Sequence, residues 1–332
     1  MNQPLQPSSL LVYTYADTVG DGLVKLPFLA DLRARFPDAR ITWCAGVGTT
    51  SYAGSLAALA ETYLDEVISE AVIGLVAGEL FRFSRPLPGR RFDVVIDTQR
   101  AFIRTLCLRR VNHGCFISGT GNFHFSDRCP APGTPRPVHL IDYLSGLLDL
   151  VAPRPALNAR PPVPVPENFR LYAERALPQG KVYIGFAPGA GDPQKIWPLE
   201  GFIAVARAEA VKGRVPVFFI GPQEEQWVER IRAAVPEALF PERDGESPKG
   251  PIFAIALAQR LAAAVANDSG AGHMLAAGGA PLVSLFSKHD PAKYAPRAKR
   301  LVIVDSKSFG GTDPALIPVA AVGEALDRLL AG

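Results

Sequence analysis

No run of about 18 consecutive apolar residues, the length that a membrane-spanning helix needs, occurs anywhere in this sequence. Its opening, MNQPLQPSSLLVYTY, has no basic segment followed by a long apolar stretch and a small-residue cleavage site, so no secretory leader is expected. These absences point to a soluble cytoplasmic protein. Cysteine is scarce: Cys44, Cys107, Cys115 and Cys129 form no CxxC pair, which suits reduced thiols. His113, Cys115, His124 and Cys129 match no common zinc spacing, and no metal or other cofactor is expected. The net charge is only +3, too slight for a dedicated nucleic-acid binder. Missing too are G-x-G-x-x-G with a downstream acid, the Walker lysine motif, G-x-S-x-G and H-E-x-x-H. Their absence weighs against nicotinamide dehydrogenases, P-loop NTPases, serine hydrolases and zinc proteases.

What is present is an apolar chain, 48% hydrophobic over 332 residues, which is enough for two cores and hence two domains. SSLLVYTY reads as a strand, and LVKLPFLADLRARF then sets Val24, Phe28, Leu32 and Phe36 on one helical face, with Pro27 expected to kink that helix or restrict it near its start. ARITWCA and RFDVVIDT are further strands, and QRAFIRTLCLRR another helix. From Ala152 to Phe169 the chain carries six prolines and little periodicity, the mark of a stiff linker. Beyond it the alternation resumes through KVYIGFAP, PLEGFIAVARAEAVKG, VPVFFIG, PQEEQWVERIRAAV, PIFAIALAQRL, AAAVAN and APLVSLF, and an amphipathic helix closes the chain. The expectation is an α/β protein with two Rossmann-like domains facing across a cleft. It divides into residues 1–152, a linker over 153–169, and residues 170–332, the last helix being free to pack back on the first domain.

In such sheets ligands collect at the carboxyl ends of the strands, and four clusters fall there. In VANDSGAGH, Asp268 or Ser269 is placed to cap a helix, Gly270 and Gly272 leave its amides open, and Ser269 and His273 share one face of its first turn. Simple capping with a satisfied histidine is the alternative. FAPGAGDPQKIWPLE ends a strand in Gly189, Ala190 and Gly191, followed by Lys195, a candidate for neutralising a diphosphate or else a surface lysine, and Trp197, which packing alone explains. FFIGPQEEQW sets Glu224 and Glu225 in a first helical turn, to hydrogen-bond ribose or merely to suit the helix dipole. In YADTVGDGLVKLP, Asp21 sits between two glycines in the loop after the first strand, a candidate general base or a cap, with Asp17 as its competitor. Eight arginines crowd one span: Arg82, Arg85, Arg90, Arg91, Arg100, Arg104, Arg109 and Arg110. Most read as solvated. Arg100 and Arg104, one helical turn apart past a strand end, are the candidates for an acidic acceptor.

Taken in order, VGDGLVKLPFLADLRARFPDARITW, RFDVVIDTQ, PGAGDPQKIWPLEGFIAVA, FFIGPQEE and ANDSGAGHMLAAGGAPLVSLF make the chain resemble the family 9 glycosyltransferases, the ADP-heptose:lipopolysaccharide heptosyltransferases. The resemblance runs over nearly the whole chain and implies a GT-B fold, with an acceptor domain followed by a nucleotide-sugar domain. It implies inverting, metal-independent heptose transfer from a nucleotide-sugar donor to a glycan or glycolipid acceptor. Asp21 then matches the catalytic base, Lys195 the lysine near the donor phosphates, Glu224 the ribose-holding acid, and Asp268 the reader of sugar hydroxyls. Ser269, Gly270 and His273 match the phosphate-side turn. Peripheral contact with the inner face of the cytoplasmic membrane follows if the acceptor is lipid-linked. SKHDP, with Ser287, Lys288 and His289, replaces the family's G-P-T-D-P, and YTYADT stands where an arginine is common, so donor and acceptor identity stay open. Another nucleotide sugar, or a non-catalytic nucleotide- or glycan-binding role, remains an alternative.

Overall fold

The computed structural model describes residues 3–154, 162–244 and 248–331, and the chain divides into two compact units, Met1–Arg160 and Pro161–Gly332. Residues 155–161 of the expected proline-rich linker lie outside the described residues.

In the first unit, five strands form one sheet: β1 (Ser9–Thr14), β2 (Arg40–Ala45), β3 (Glu66–Ile68), β4 (Phe92–Asp97) and β5 (His113–Ser118). They lie parallel in the order β3-β2-β1-β4-β5. Its helices are α1 (Val19–Arg35), a short α2 (Ala57–Ala60), α3 (Phe102–Arg109) and α4 (Leu140–Asp149). Strands buried on both faces need apolar residues at nearly every position, and Leu10, Leu11, Val12, Val94, Val95 and Ile96 are all fully buried. Helix α1 starts at Val19, earlier than the apolar periodicity suggests, because Thr18 and Asp21 form a reciprocal cap. It runs through Pro27 to Arg35. Pro27 therefore sits mid-helix, where it removes one amide bond without ending the element. Helix α3 begins only at Phe102, so Arg100 belongs to the loop before it and only Arg104 is helical.

The second unit repeats the plan with β6 (Tyr183–Ala187), β7 (Val215–Phe218), β8 (Ala263–Asn267), β9 (Leu282–Phe286) and β10 (Leu301–Asp305), parallel in the order β10-β9-β8-β6-β7. Outside β7 a single bridge, Val217 to Leu239, stands where a further edge strand would lie. With that vestige counted, the strand order matches that of a dinucleotide-binding sheet. The helices are α5 (Glu167–Ala176), α6 (Leu199–Val211), α7 (Val228–Ala234), α8 (Pro251–Ala258), α9 (Gly270–Ala277), a short α10 (Pro291–Tyr294) and α11 (Val319–Ala331). Helix α5 begins inside the stretch read as linker, after Pro166. The closing helix, α11, packs on β8, β9, β10 and α6 of its own unit. Val322, Ala325, Leu326 and Leu329 bury its inner face, beside Trp197 and Phe202, in one core. Among the described residues, no helix is long and apolar enough to cross a membrane.

Candidate functional site

Each sheet changes direction of winding at one place, between β6 and β8 in the second unit and between β1 and β4 in the first. Two neighbouring loops diverge there and leave a crevice at the strand ends. The candidate residues collect at these two places.

In the second unit, β8 ends in Asn267, fully buried, whose amide donates to the carbonyl of Pro188 at 2.7 Å and accepts from the amide of Trp197 at 3.2 Å. One side chain thus fixes the loop after β6 against the end of β8. The next residue, Asp268, is 6% exposed. Its Oδ2 lies 3.0 Å from Lys195 Nζ and 2.8 Å from His289 Nδ1, close enough for ion pairing though without hydrogen-bond alignment to either. Lys195 Nζ also donates to the Asp268 carbonyl at 3.3 Å. Ser269 is the N-cap of α9 in extended conformation, yet its hydroxyl makes no capping bond and is buried with no partner. The amides of Gly270 to Gly272 have no intrahelical acceptor. A Cβ on Gly272 would come within 3.2 Å of the Asn267 carbonyl, so its smallness serves packing as well as access. An unpartnered hydroxyl, open amides at the positive end of a helix and a lysine brought to Asp268 from the loop after β6 have the chemistry that suits a phosphate.

Beside this place, Gly189 and Gly221 lie in the loops after β6 and β7. A Cβ on Gly189 would fall 2.6 Å from the Glu224 carboxyl carbon, and one on Gly221 would fall 2.5 Å from Glu224 Oε2. Both glycines are needed because Glu224 folds back over the strand ends. Burial pushes its carboxyl above the usual range, against its own amide, that of Gly221 and the charge of Arg243. Glu225 is different: it is half exposed and salt-bridged to Arg243. The two acids that the sequence left unseparated are therefore distinct, with Glu224 facing the strand ends. Ala190 is buried next to the cradle. Trp197 is packing: its indole donates to the Ile317 carbonyl at 2.9 Å, and Gly201 makes room for its ring. His273 lies in the first turn of α9, its amide bonded to the Ser269 carbonyl.

In the first unit Asp21 is not in a loop but in the first turn of α1, where its Oδ2 accepts from the Thr18 hydroxyl at 2.7 Å and the Thr18 amide at 3.1 Å. It stays exposed. Of its flanking glycines, Gly20 is open, whereas Gly22 is a packing glycine whose Cβ would clash with Ser51 and Leu56. Asp17 is occupied elsewhere. It is 5% exposed, paired with Lys25, and accepts from Thr14, from the Trp43 indole at 2.9 Å and from Thr50 at 3.1 Å. Across the crevice Arg104 lies 3.6 Å over the ring of Tyr15, tying α3 to the loop after β1, and Arg100 lies 3.7 Å over Tyr143 of α4. Both guanidinium groups are held on aromatic faces.

Three residues that sequence reasoning passed over stand at these places. Asn267 closes an otherwise apolar strand and Asp97 follows the apolar run Val94–Ile96, which was the available signal. Asp97 accepts from Thr105 at 2.6 Å, Ser118 at 2.9 Å and the Gln99 amide at 2.9 Å, and burial pushes its carboxyl up to about 6. Lys288, seen only as a departure, bonds Asp192 at 3.3 Å and Gln194 at 3.1 Å, joining the loop after β9 to the one after β6. Among the described residues no three His, Cys, Asp or Glu side chains are grouped to hold a metal.

Comparison with known proteins places this geometry in context. The profile of glycosyltransferase family 9 (heptosyltransferase) matches residues 80–312, well over half of the chain. Lipooligosaccharide heptosyltransferase 2 of Haemophilus influenzae is 28% identical over 158 residues, 47% of this chain, and the match spans only about half (46%) of that relative. Among solved structures, a family 9 glycosyl transferase from Veillonella parvula aligns with a TM-score of 0.75 at 20% identity, covering 100% of this chain and 99% of that one. The ADP-heptose lipopolysaccharide heptosyltransferase II of E. coli aligns with a TM-score of 0.67 at 20% identity, covering 98% of each chain. At such identities the structural likeness establishes the fold.

Proposed function

Because the chain belongs to glycosyltransferase family 9, we propose that it is an inverting glycosyltransferase that moves a heptose from a nucleotide-diphosphate donor, ADP-heptose, to a lipopolysaccharide-type glycan. The observation that carries this reading is the cluster at the ends of β6 and β8. There a buried carboxylate, a lysine, an unpartnered hydroxyl and open helix amides meet, the complement of a pyrophosphate bearing a polar sugar. Lys195, the amides at Ser269 and Gly270, and His273 stabilise the departing diphosphate; Asp268 reads sugar hydroxyls and Glu224 the ribose. Gly189 and Ala190 let the donor approach the backbone. Asp21 takes the proton from an acceptor hydroxyl while that oxygen bonds the anomeric carbon from the face opposite the diphosphate, whose bond to carbon breaks. One displacement, with no covalent intermediate, inverts the centre. Arg100 and Arg104 meet the acceptor's acidic groups. The lipid-linked form of that acceptor would bring the enzyme to the inner face of the cytoplasmic membrane.

Lys288 and His289, one on Asp192 and the other on Asp268, are the observation that favours a different donor sugar or base. The test separates these. Purified protein is incubated with ADP-heptose and deacylated lipopolysaccharide fragments, and release of ADP is followed. ADP release that needs both substrates supports the reading. Stabilisation of the protein by UDP- or GDP-sugars alone, with no turnover of ADP-heptose, sinks it.

A further inference from the structure

Between β3 and β4 the first unit carries a ridge that the proposed chemistry does not use. Phe81 is 85% exposed and Phe83 fully so, with Leu75 at 56% and Val76 at 52% on the same segment. Large apolar side chains this exposed, and this close together, are unusual on a soluble surface. The segment is held in place rather than left loose. Glu79, buried, accepts the amides of Gly74 and Leu75 at 2.8 Å and of Val76 at 3.1 Å. From below, the Arg110 guanidinium donates to the carbonyls of Glu79, Arg82 and Ser84. Two internal clamps thus present two phenyl rings outward.

The charge around the rings has one sign. Residues 72–91 contain Arg82, Arg85, Arg90 and Arg91 against the single acid Glu79, whose carboxylate is already taken up by backbone amides. Arg90 pairs with Glu66 at 2.7 Å; the guanidinium groups of Arg82, Arg85 and Arg91 have no acidic partner among the described residues. Beside Phe83 lies a concavity lined by Arg85, Arg109, Arg110 and His113. There Arg109 is paired with Asp127 at 2.6 Å and Arg110 is held by the backbone, leaving Arg85 as the arginine without an acidic partner among the described residues. Aromatic side chains on a convex ridge, flanked by arginines with long apolar stems, match the boundary between headgroups and acyl chains of an anionic bilayer.

We propose that this ridge docks the protein onto an anionic lipid surface, with Phe81 and Phe83 entering the headgroup layer and Arg82 and Arg85 meeting its phosphates. Its purpose rests on the glycolipid acceptor proposed above, since an enzyme acting on a lipid-anchored glycan works at the bilayer. The test is co-sedimentation of the full chain with phosphatidylcholine vesicles, with and without phosphatidylglycerol, in low and high salt. The protein should pellet with the anionic vesicles, less so in high salt, and not with neutral ones. The Phe81→Ser/Phe83→Ser double variant should lose ~10-fold or more in partitioning, and Arg82→Glu/Arg85→Glu a similar amount. Both variants should keep wild-type thermal unfolding and wild-type turnover of a deacylated, water-soluble acceptor. Equal binding of the Phe81→Ser/Phe83→Ser variant overturns the proposal. So does a wild-type dimer that this variant converts to monomer, since the ridge would then be an interface between copies. Binding is read without donor or acceptor, so a protein that docks but transfers no sugar overturns the proposed function and leaves the docking surface standing.

Discussion

At the end of the second sheet the polar groups are buried and crowded together: Asn267 is 0%, Asp268 6% and Glu224 7% exposed, and each is fixed by neighbours from a different loop. At the end of the first sheet the buried acids, Asp17 and Asp97, are consumed by internal partners, and the candidate carboxylate left in solvent is Asp21. The difference follows from what each place is asked to hold. A diphosphate is bound by dipoles fixed in advance in a water-poor setting, where each is worth more than in water. A general base must keep a lone pair available and exchange its proton, which a fully bonded buried acid cannot do. On the proposed function, the first unit spends its buried acids on rigidity and keeps Asp21, at a helix start, as its working acid.

The most severe break in this comparison is Asp21→Asn. Turnover is expected to fall ~10³-fold, the range of a lost general base, while donor affinity, read by thermal shift with the nucleotide sugar, stays near wild type. Because Asp21 also closes the reciprocal cap with Thr18, the control is Thr18→Ala. That change should cost about 1 kcal/mol of stability and keep most turnover. If both variants lost turnover alike, Asp21 would be a cap and the base would lie elsewhere.

A second change probes the other side. Lys195→Ala removes one cation from Asp268 and from the proposed phosphate seat and leaves the His289 imidazole beside the carboxylate. It should lower kcat ~10²-fold and also weaken donor binding, so the two variants differ in kind: one splits turnover from affinity, the other lowers both. Donor affinity unchanged in Lys195→Ala would remove the lysine from the seat.

Much of this was legible in the chain. Alternating apolar strands and amphipathic helices announced two α/β units, and glycine-rich strand ends marked the loops at the second switch point. Less visible was anything that depends on which strands become neighbours. The Asn267 link reaches Pro188, 79 positions away, and the Arg104 contact with Tyr15 spans a similar gap. The start of α1 was misread because glycines on both sides of Asp21 suggest a loop, while the cap set by Thr18 overrides their low helix propensity. The fate of Glu224 and Glu225 was equally hidden. Two adjacent identical residues diverge only once Gly189 and Gly221 make room for one and Arg243 takes the other.

The smallest effect tests the claim that the first unit's buried acids serve the scaffold. Burial lifts Asp97 to about 6, well above the ~3.9 of an unfolded aspartate. Between these two values the folded chain holds a proton that the unfolded chain has lost, so stability falls as pH rises through this window and levels off above it. Asp31 and Asp65, whose carboxyls are held below the usual range against the cost of burial by their arginine partners, act with the opposite sign and only at lower pH. Unfolding measured at pH 5 and pH 7 should therefore differ by about 1 kcal/mol in favour of pH 5 from this group. Glu242, whose carboxyl burial lifts to about 7, adds to the difference with the same sign. Asp97→Asn, which keeps the shape and an acceptor for the Gln99 amide, should therefore reduce the difference by about 1 kcal/mol without abolishing it and leave kcat within a few-fold of wild type. A reduced difference with a lost kcat would instead put Asp97 in the working part of the crevice and erase the division of labour between its buried and exposed acids.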